Sequence, residues 1–355
     1  MTAEITIASR KIGMAHPPFL ILEAGINHNG DLDLALEMVR VARELNADAI
    51  KFQTFKAAEF VGDPTLTYTY TSQGREVTEP MRAMFERCEF TEEQWRRIAE
   101  GCRTGGITFL STPQNASDLE LLLRLGLPAI KVGSDDFTNT PLLAAYAKTG
   151  LPMILSCGMA DRREVDMALK TIGADRDYPS AILVCTSQYP TRPADANVAR
   201  VRTLREAYPK TVVGFSDHTQ GPHAAVIAGT LGACIFEKHF TLDHDLPGPD
   251  HWFSENPAGA ATWIKAIRET AVVLGHGRIE PGTAERDMRA IARRSITALR
   301  DIAQDEVFTR ENLGLRRPGT GLPPDQFEEV VGNRSRRAIS AGEQLMLVDF
   351  LPAAQ

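Results

Sequence analysis

The 355-residue chain is 43% hydrophobic and 24% charged, with a formal net charge of −7 at pH 7, the composition of a globular protein with one large domain, or one large and one small. The acidic balance excludes a general nucleic-acid footprint, and the longest apolar stretch, 224–236, is broken by Thr230 and glycines and is too short to cross a bilayer. The first residues, Met1-Thr2-Ala3-Glu4, lack the basic and apolar regions of a signal peptide, and the five cysteines form no C-x-x-C pair, so a cytoplasmic protein with reduced thiols and no membrane partner is expected.

Eight short β-type runs are predicted in chain order, at 19–24, 49–55, 107–111, 129–133, 153–156, 181–185, 212–215 and 234–240. They are apolar nearly throughout, as parallel strands covered on both faces are. Helical patterns fall between them. Residues 31–45 put Leu32, Leu36, Val39 and Ala42 on one stripe. Thr91 and Gln94 have capping-box spacing, Asp161 and Glu164 open another helix, and Asn256-Pro257 begins one that closes near Gly275. Eight strand–helix alternations over about 250 residues fit a (β/α)8 TIM barrel. A doubly wound sheet is disfavoured because the first strand is followed by Ile26-Asn27-His28-Asn29-Gly30 and not by G-x-G-x-x-G.

Two of the runs pass into a lysine, Lys51 and Lys131. An ammonium inside a core strand needs an anion, because apolar neighbours cannot replace its hydration. The other runs also end in polar residues: Glu23, Ser111-Thr112, Ser156, Thr186-Ser187-Gln188-Tyr189, Ser216-Asp217-His218 and Glu237-Lys238-His239. In a barrel the carboxyl ends of all strands meet at one mouth, so these residues would face a single pocket. His218 and His239, ending neighbouring strands, can hold a divalent metal and leave positions for water or substrate. Cys157 and Cys185, near strand ends, read as space-filling thiols. A cationic anion site beside a metal suits carbon–carbon bond formation between an enol and a carbonyl, and equally a Schiff-base aldolase on Lys51 or Lys131.

Beyond Gly275 the texture changes. Residues 281–294, with Arg286, Arg289, Arg293 and Arg294, read as a linker after a 1–280 barrel. Residues 295–355 read as a small β domain with an internal echo, Ile302-Ala303-Gln304-Asp305-Glu306 against Ile339-Ser340-Ala341-Gly342-Glu343.

An ordered set of motifs spans almost the whole chain: Glu23-Ala24-Gly25-Ile26-Asn27-His28-Asn29-Gly30, Lys51-Phe52-Gln53-Thr54-Phe55, Phe109-Leu110-Ser111-Thr112-Pro113, Lys131-Val132-Gly133-Ser134, Gly214-Phe215-Ser216-Asp217-His218-Thr219 and Glu237-Lys238-His239-Phe240. Together with Arg316-Arg317-Pro318-Gly319-Thr320-Gly321 in the tail, the set resembles the sialic acid synthase family. The resemblance implies a TIM barrel followed by an antifreeze-like (SAF) β-clip domain, a domain-swapped homodimer, and condensation of phosphoenolpyruvate with the open aldehyde of a 2-acetamido sugar. It implies that Lys51, Thr112, Lys131, Ser134 and Ser216 bind phosphoenolpyruvate, joined by Ser156 and by Ser187, where some family members carry asparagine. It implies that His218 and His239 hold Mn²⁺ or Mg²⁺, and that Gln53, Tyr189, Asp250 and the partner's Arg317 face the sugar. Glu237, and after it Glu23, are the candidates for the catalytic base; Glu23 would also face the sugar. The segment 67–75 lies where acceptor contacts are expected, and Trp252 and Phe253 either reshape the sugar pocket or pack their loop. Three alternatives remain: a 3-deoxy-ulosonate-phosphate synthase, the Schiff-base aldolase, and a non-catalytic carbohydrate-binding protein.

Overall fold

All eight expected runs are strands, and they lie side by side in parallel. The computed structural model describes residues 3–351 and divides into two units, Met1–Gly275 and His276–Gln355, a few residues before the limit at 280 read from the sequence.

The first unit opens with a hairpin, β1 (Glu4–Ile7) and β2 (Arg10–Gly13), followed by β3 (Phe19–Gly25) and β4 (Ala49–Thr54). A second hairpin, β5 (Thr67–Ser72) and β6 (Arg75–Pro80), precedes β7 (Thr108–Pro113), β8 (Ile130–Val132), β9 (Met153–Ser156), β10 (Ser180–Cys185), β11 (Val212–Asp217) and β12 (Ile235–His239). The large sheet runs β7-β4-β3-β12-β11-β10-β9-β8. This is chain order cut between β7 and β8 and joined between β12 and β3, so the sheet curls into a nearly closed barrel. Around it lie α1 (Leu32–Glu44), α2 (Ala57–Phe60), α3 (Met81–Glu86), α4 (Glu92–Gly105), α5 (Ala116–Arg124), α6 (Thr140–Ala147), α7 (Arg162–Ile172), α8 (Arg200–Ala207), α9 (His223–Thr230) and α10 (Pro257–Leu274). No helix among the described residues is long and apolar enough to cross a membrane.

The helix ends follow from local chemistry. Thr91 and Asp161 open α4 and α7 with complete capping boxes, each satisfying backbone N–H groups that a helix start leaves unpaired. Asn256 caps α10 with Pro257 at its first position. The stripe expected on α1 is rotated: Ala35, Met38, Val39 and Ala42 are buried, while Leu32 and Leu36 are only half-buried. Met38 and the alanines fill the contact with the core, and Leu36 lies beside Gly101 of α4.

Side-chain alternation along the strands explains how the barrel makes a site. Phe19, Ile21, Ala49, Leu110, Ala129, Ile154, Ala181, Leu183, Val212 and Ile235 form one interior cluster, closed from below by Ile5, Ile7 and Ile12 of the first hairpin. The intervening residues, such as Leu20, Leu22, Ile50, Phe52 and Phe236, face the helices in a separate, larger core. Continuing the interior parity towards the carboxyl ends gives Glu23, Lys51, Gln53, Thr112, Lys131, Ser156, Cys185, Ser216, Glu237 and His239. Parallel direction and even spacing therefore raise ten polar or ionisable side chains above an apolar plug.

In the second unit, residues 281–294 are not a plain linker: Thr283–Ala292 form α11, which has no buried residue. Beyond it come β13 (Ser295–Ala298), β14 (Leu313–Arg316), the short α12 (Phe327–Val330), β15 (Arg334–Ser335) and β16 (Phe350–Leu351). Ile296, Ala298, Ile302, Phe308, Leu313, Leu322, Val330, Ile339 and Leu345 make its own small core. The internal echo has a structural meaning. Ile302 and Ile339 pair antiparallel, and each following turn is closed the same way, with Ala303 N donating to Glu306 Oε2 at 2.9 Å and Ser340 N to Glu343 Oε2 at 3.1 Å.

Candidate active site

Every candidate from the barrel lines one cavity of about 440 Å³ at the carboxyl ends of the strands, a volume suited to small-molecule substrates. Lys51, Lys131, Glu23 and Glu237 form its buried floor. Lys51 Nζ lies 2.7 Å from Glu23 Oε2, close but not aligned as a hydrogen bond, and 3.9 Å from Glu237 Oε2. It donates to Thr112 Oγ1 at 3.2 Å. Lys131 Nζ lies 3.5 Å from Glu237 Oε1 and donates to Ser156 Oγ at 2.8 Å and to Val132 O at 3.1 Å. Ser216 Oγ donates to Glu237 Oε1 at 3.2 Å, which leaves Glu237 Oε2 buried without a hydrogen-bond partner.

Burial penalises all four charges, and the partners decide the outcome. At Lys51 burial is outweighed by Glu23 and Glu237, so its pKa stands above the ordinary lysine value. At Lys131 burial prevails over Glu237 and lowers it. At Glu23 burial, reinforced by repulsion from Glu237, overcomes the pull of Lys51 and raises the pKa. Burial at Glu237 is overcome by Lys131 and Lys51, which lower it. The two carboxyls are thereby driven in opposite directions, Glu237 towards the anion and Glu23 towards the acid.

The hydroxyl-rich side of the cavity is built from β7 to β11. Ser134 Oγ accepts from Gly158 N at 3.0 Å. A Cβ at Gly158 would collide with the hydroxyls of both Ser134 and Ser187, so glycine there is what lets the two serines converge. On the other side stand the imidazoles of His218 and His239, with ring centroids 5.4 Å apart. Nδ1 of His218 lies 2.8 Å from Thr186 O and so carries its proton, leaving Nε2 as the free nitrogen. Burial opposes charge on His218, but Cys185, whose Sγ lies 3.9 Å from Nδ1, and the Thr186 carbonyl outweigh it and raise the pKa. His239 is held neutral, chiefly by burial and then by the neighbouring cations. Its Nδ1 is buried with no hydrogen-bond partner, 3.9 Å from Asp250 Oδ2. Two adjacent imidazoles with an orphaned nitrogen fit the nitrogen donors of a divalent cation. Among the described residues no group of three or more His, Cys, Asp or Glu is arranged to hold a metal.

Lys238 points out of the barrel and ties the two histidine-bearing strands together. Its Nζ bonds Asp217 Oδ2 at 3.0 Å and also reaches Thr219 O, and Asp217 Oδ2 accepts from Trp263 Nε1 of α10 at 3.0 Å. Tyr189 packs on His218 at 4.2 Å between ring centroids, and Phe253 on His239 at 5.3 Å. Phe253 thus belongs to the cavity, whereas Trp252 does not.

A match to the NeuB family covers residues 38–279, and a match to the SAF domain covers residues 293–351. The chain belongs to the NeuB family. It is 39% identical over 333 residues to N,N'-diacetyllegionaminic acid synthase of Legionella pneumophila, covering 92% of this chain and 93% of that protein. It is 31% identical to human N-acetylneuraminate-9-phosphate synthase, covering 96% and 95%. Its fold is similar to that of N-acetylneuraminic acid synthetase from Leptospira borgpetersenii, with a TM-score of 0.72 and 34% identity over 81% of this chain and 95% of that one. The NeuB-family chain is accordingly an enzyme of the acid-synthase type.

One candidate, Arg317, is not among the side chains lining the cavity; it is exposed on the second unit, just after β14. The sequence reading also missed several cavity residues. Asp135 and Gln114 follow recognised strand ends, so one further step along each motif would have found them. Cys185, read as filler, lines the cavity. Tyr68 of β5 lines the cavity from the segment 67–75 where acceptor contacts are expected, whereas Phe60, Met81, Met84 and Phe85, on α2 and α3 to either side of it, were not recognised. The hairpin between α2 and α3 did carry a signal: Gln73-Gly74 both have positive φ, 51° and 72°, as a primed two-residue turn requires.

Proposed function

We propose that this enzyme condenses phosphoenolpyruvate with the open-chain aldehyde of a 2-acetamido sugar, giving a nonulosonic acid and inorganic phosphate. The observation that carries the reading is the joining, at one barrel mouth, of two buried lysine–glutamate pairs with two neighbouring imidazoles. The names of the relatives, a diacetyllegionaminic acid synthase and an N-acetylneuraminate-9-phosphate synthase, support an acylated amino sugar as the acceptor class.

In this reading Lys51 and Lys131 hold the phosphate and carboxylate of phosphoenolpyruvate, with hydroxyls of Thr112, Ser134, Ser156, Ser187 and Ser216 donating to its oxygens. His218 and His239 would hold a divalent cation, Mn²⁺ or Mg²⁺, whose chemistry when bound is to polarise the acceptor's aldehyde oxygen. Glu23, Gln53, Tyr189 and Asp250 orient the sugar so that its aldehyde carbon faces carbon 3 of the enol. Carbon 3 attacks, carbon 2 gains positive character, and water adds there. Glu237 takes the proton from that water through its unpartnered Oε2, while Ser216 and Lys131 hold Oε1; Glu23 is the second candidate. The tetrahedral intermediate then expels phosphate with its bridging oxygen, and the buried lysines stabilise the leaving charge.

The same proposal includes a homodimer in which the antifreeze-like tail of one subunit covers the barrel mouth of the other and brings the partner's Arg317 to the sugar. Apolar Met288 and Ile291 on α11, 57% and 66% exposed in the single chain, support a covered surface there.

The test is phosphate release from phosphoenolpyruvate with 2-acetamidohexoses, against pentose and tetrose phosphates. Release with the acetamido sugars alone is expected. Release only with a sugar phosphate would move the enzyme to the 3-deoxy-ulosonate-phosphate class. Borohydride trapping of substrate on Lys51 or Lys131 would replace the mechanism with Schiff-base chemistry.

A further inference from the structure

Asp217 and Lys238 stand directly opposite each other on β11 and β12, the last paired residues of the two strands. His218 and His239 follow them, one on each strand, and line the cavity. Alternation turns Asp217 and Lys238 the other way, behind the imidazoles. Neither lines the cavity, yet both are buried, 1% and 3% exposed.

The pair is tied to the turns on either side of it. Lys238 Nζ bonds Asp217 Oδ2 at 3.0 Å and Gly221 O at 3.2 Å, and reaches Thr219 O as well. Asp217 Oδ1 accepts from Thr219 N at 2.9 Å and from Thr219 Oγ1 at 2.7 Å, and Oδ2 accepts from Trp263 Nε1 at 3.0 Å. His218 is thus bracketed by two residues that are both held. Glu255 does the same for His239. Its N donates to His239 O at 2.8 Å, its O accepts from Thr241 N at 3.0 Å, and its Oε1 accepts from Gly221 N at 3.0 Å while lying 3.7 Å from Lys238 Nζ. Glycine at 259 leaves room for that carboxylate, because a Cβ there would collide with Glu255 Oε2.

Stability does not account for such a network. Desolvation offsets most of the attraction in a buried ion pair, and apolar residues of similar volume often serve as well or better. What the pair supplies is a single geometry in which every one of its polar atoms is satisfied. The imidazoles stand on different strands, so their separation depends on strand register and on the turns that follow. A cation shared between them requires that separation to within about 0.5 Å. Resting on the metal reading above, we infer that the Asp217–Lys238 pair, with Trp263 and Glu255 behind it, positions the two imidazoles for the cation. Asp217 and Lys238 are positioning residues: they act through the histidines beside them and not on substrate.

The experiment measures Mn²⁺ affinity of the full-length enzyme by paramagnetic resonance, beside the KM for phosphoenolpyruvate at saturating Mn²⁺. The double variant Asp217→Asn/Lys238→Met removes both charges together, so that neither is left unpaired in the core. Partners that orient metal ligands are worth about 10- to 100-fold in affinity, and the Mn²⁺ dissociation constant should rise by that factor. The KM for phosphoenolpyruvate should change by less than about twofold, since Lys51, Lys131 and the serines are untouched. If the double variant folds poorly, Trp263→Phe deletes one donor to Asp217 and keeps a ring, and should weaken Mn²⁺ by about 10-fold at an unchanged KM. Parental Mn²⁺ affinity in both variants overturns the positioning role. A KM for phosphoenolpyruvate that rises in step with the Mn²⁺ constant overturns it too, because the network would then hold the whole mouth and not the imidazoles. If the parent binds no Mn²⁺, or His218→Ala and His239→Ala bind it as tightly as the parent, the metal reading itself is overturned and the positioning role with it.

Discussion

Replacing Lys131 by methionine removes an ammonium while keeping an unbranched chain of similar length. In the free enzyme that ammonium lies 3.5 Å from Glu237 Oε1 and donates to Ser156 Oγ and Val132 O. With phosphoenolpyruvate bound, the loss is a charge-assisted hydrogen bond, worth about 1.5–3 kcal/mol, or roughly a 10- to 150-fold rise in the KM for phosphoenolpyruvate. Stability should fall as well, because Glu237 loses its nearest cation. Breaking a buried pair costs about 3–5 kcal/mol, and Lys51 at 3.9 Å and the Ser216 hydroxyl keep the loss near the lower bound. At about 2–4 °C per kcal/mol for a unit of this size, the melting midpoint should drop by about 6–12 °C. Steady-state kinetics well below the lowered midpoint separates the two effects. A folded Lys131→Met enzyme with a KM for phosphoenolpyruvate within twofold of the parent would remove Lys131 from the anion site and refute the reasoning.

Three further outcomes are expected. His239→Ala should abolish turnover and weaken Mn²⁺ binding measured by its paramagnetic resonance, and a chelator should silence the parent enzyme until Mn²⁺ is restored; full activity in chelator would refute the metal assignment. Asp250, pushed up to about 7 by burial and by the Glu23 charge, binds a proton in the folded state that the unfolded chain releases near pH 4. A carboxyl raised in this way makes the fold less stable as pH climbs from about 4 to 7 and costs a constant amount above that. Asp250→Asn should therefore gain stability relative to the parent over that window, by up to a few kcal/mol at pH 8, in denaturant titrations; parallel pH profiles would contradict it. Arg317→Ala should weaken acceptor use, and mixed dimers with Glu237→Gln subunits should recover activity, since one site then combines an intact barrel with an intact tail; no recovery would count against the swapped arrangement.

Much of this was legible in the sequence because a parallel barrel follows simple rules. The apolar runs mark its strands, and period-two spacing alone puts Lys51 with Gln53, and Glu237 with His239, on one strand face. The α1 stripe was misjudged because helix periodicity alone does not say whether leucines or smaller residues sit at the centre of a contact. Phe60 and Met81 were missed because α2 and α3, of 4 and 6 residues, are too short to show a helical period, and Phe60 and Phe85 pack in a small cluster apart from the barrel core. Cys185 was read as filler because nothing in the sequence reveals an imidazole 3.9 Å away. Residues 281–294 read as a linker because helix α11 buries none of its side chains in this chain.

The central claim is that the lysines, glutamates and imidazoles converge on an enolpyruvyl ligand and break its C–O bond. Phosphoenolpyruvate carrying ¹⁸O in its bridging position tests this directly, with an acetamidohexose as acceptor and mass analysis of the products. The label is predicted to leave with inorganic phosphate, alongside a nonulosonic acid. Label retained in the sugar acid, or no phosphate with any acetamido acceptor, would contradict the account.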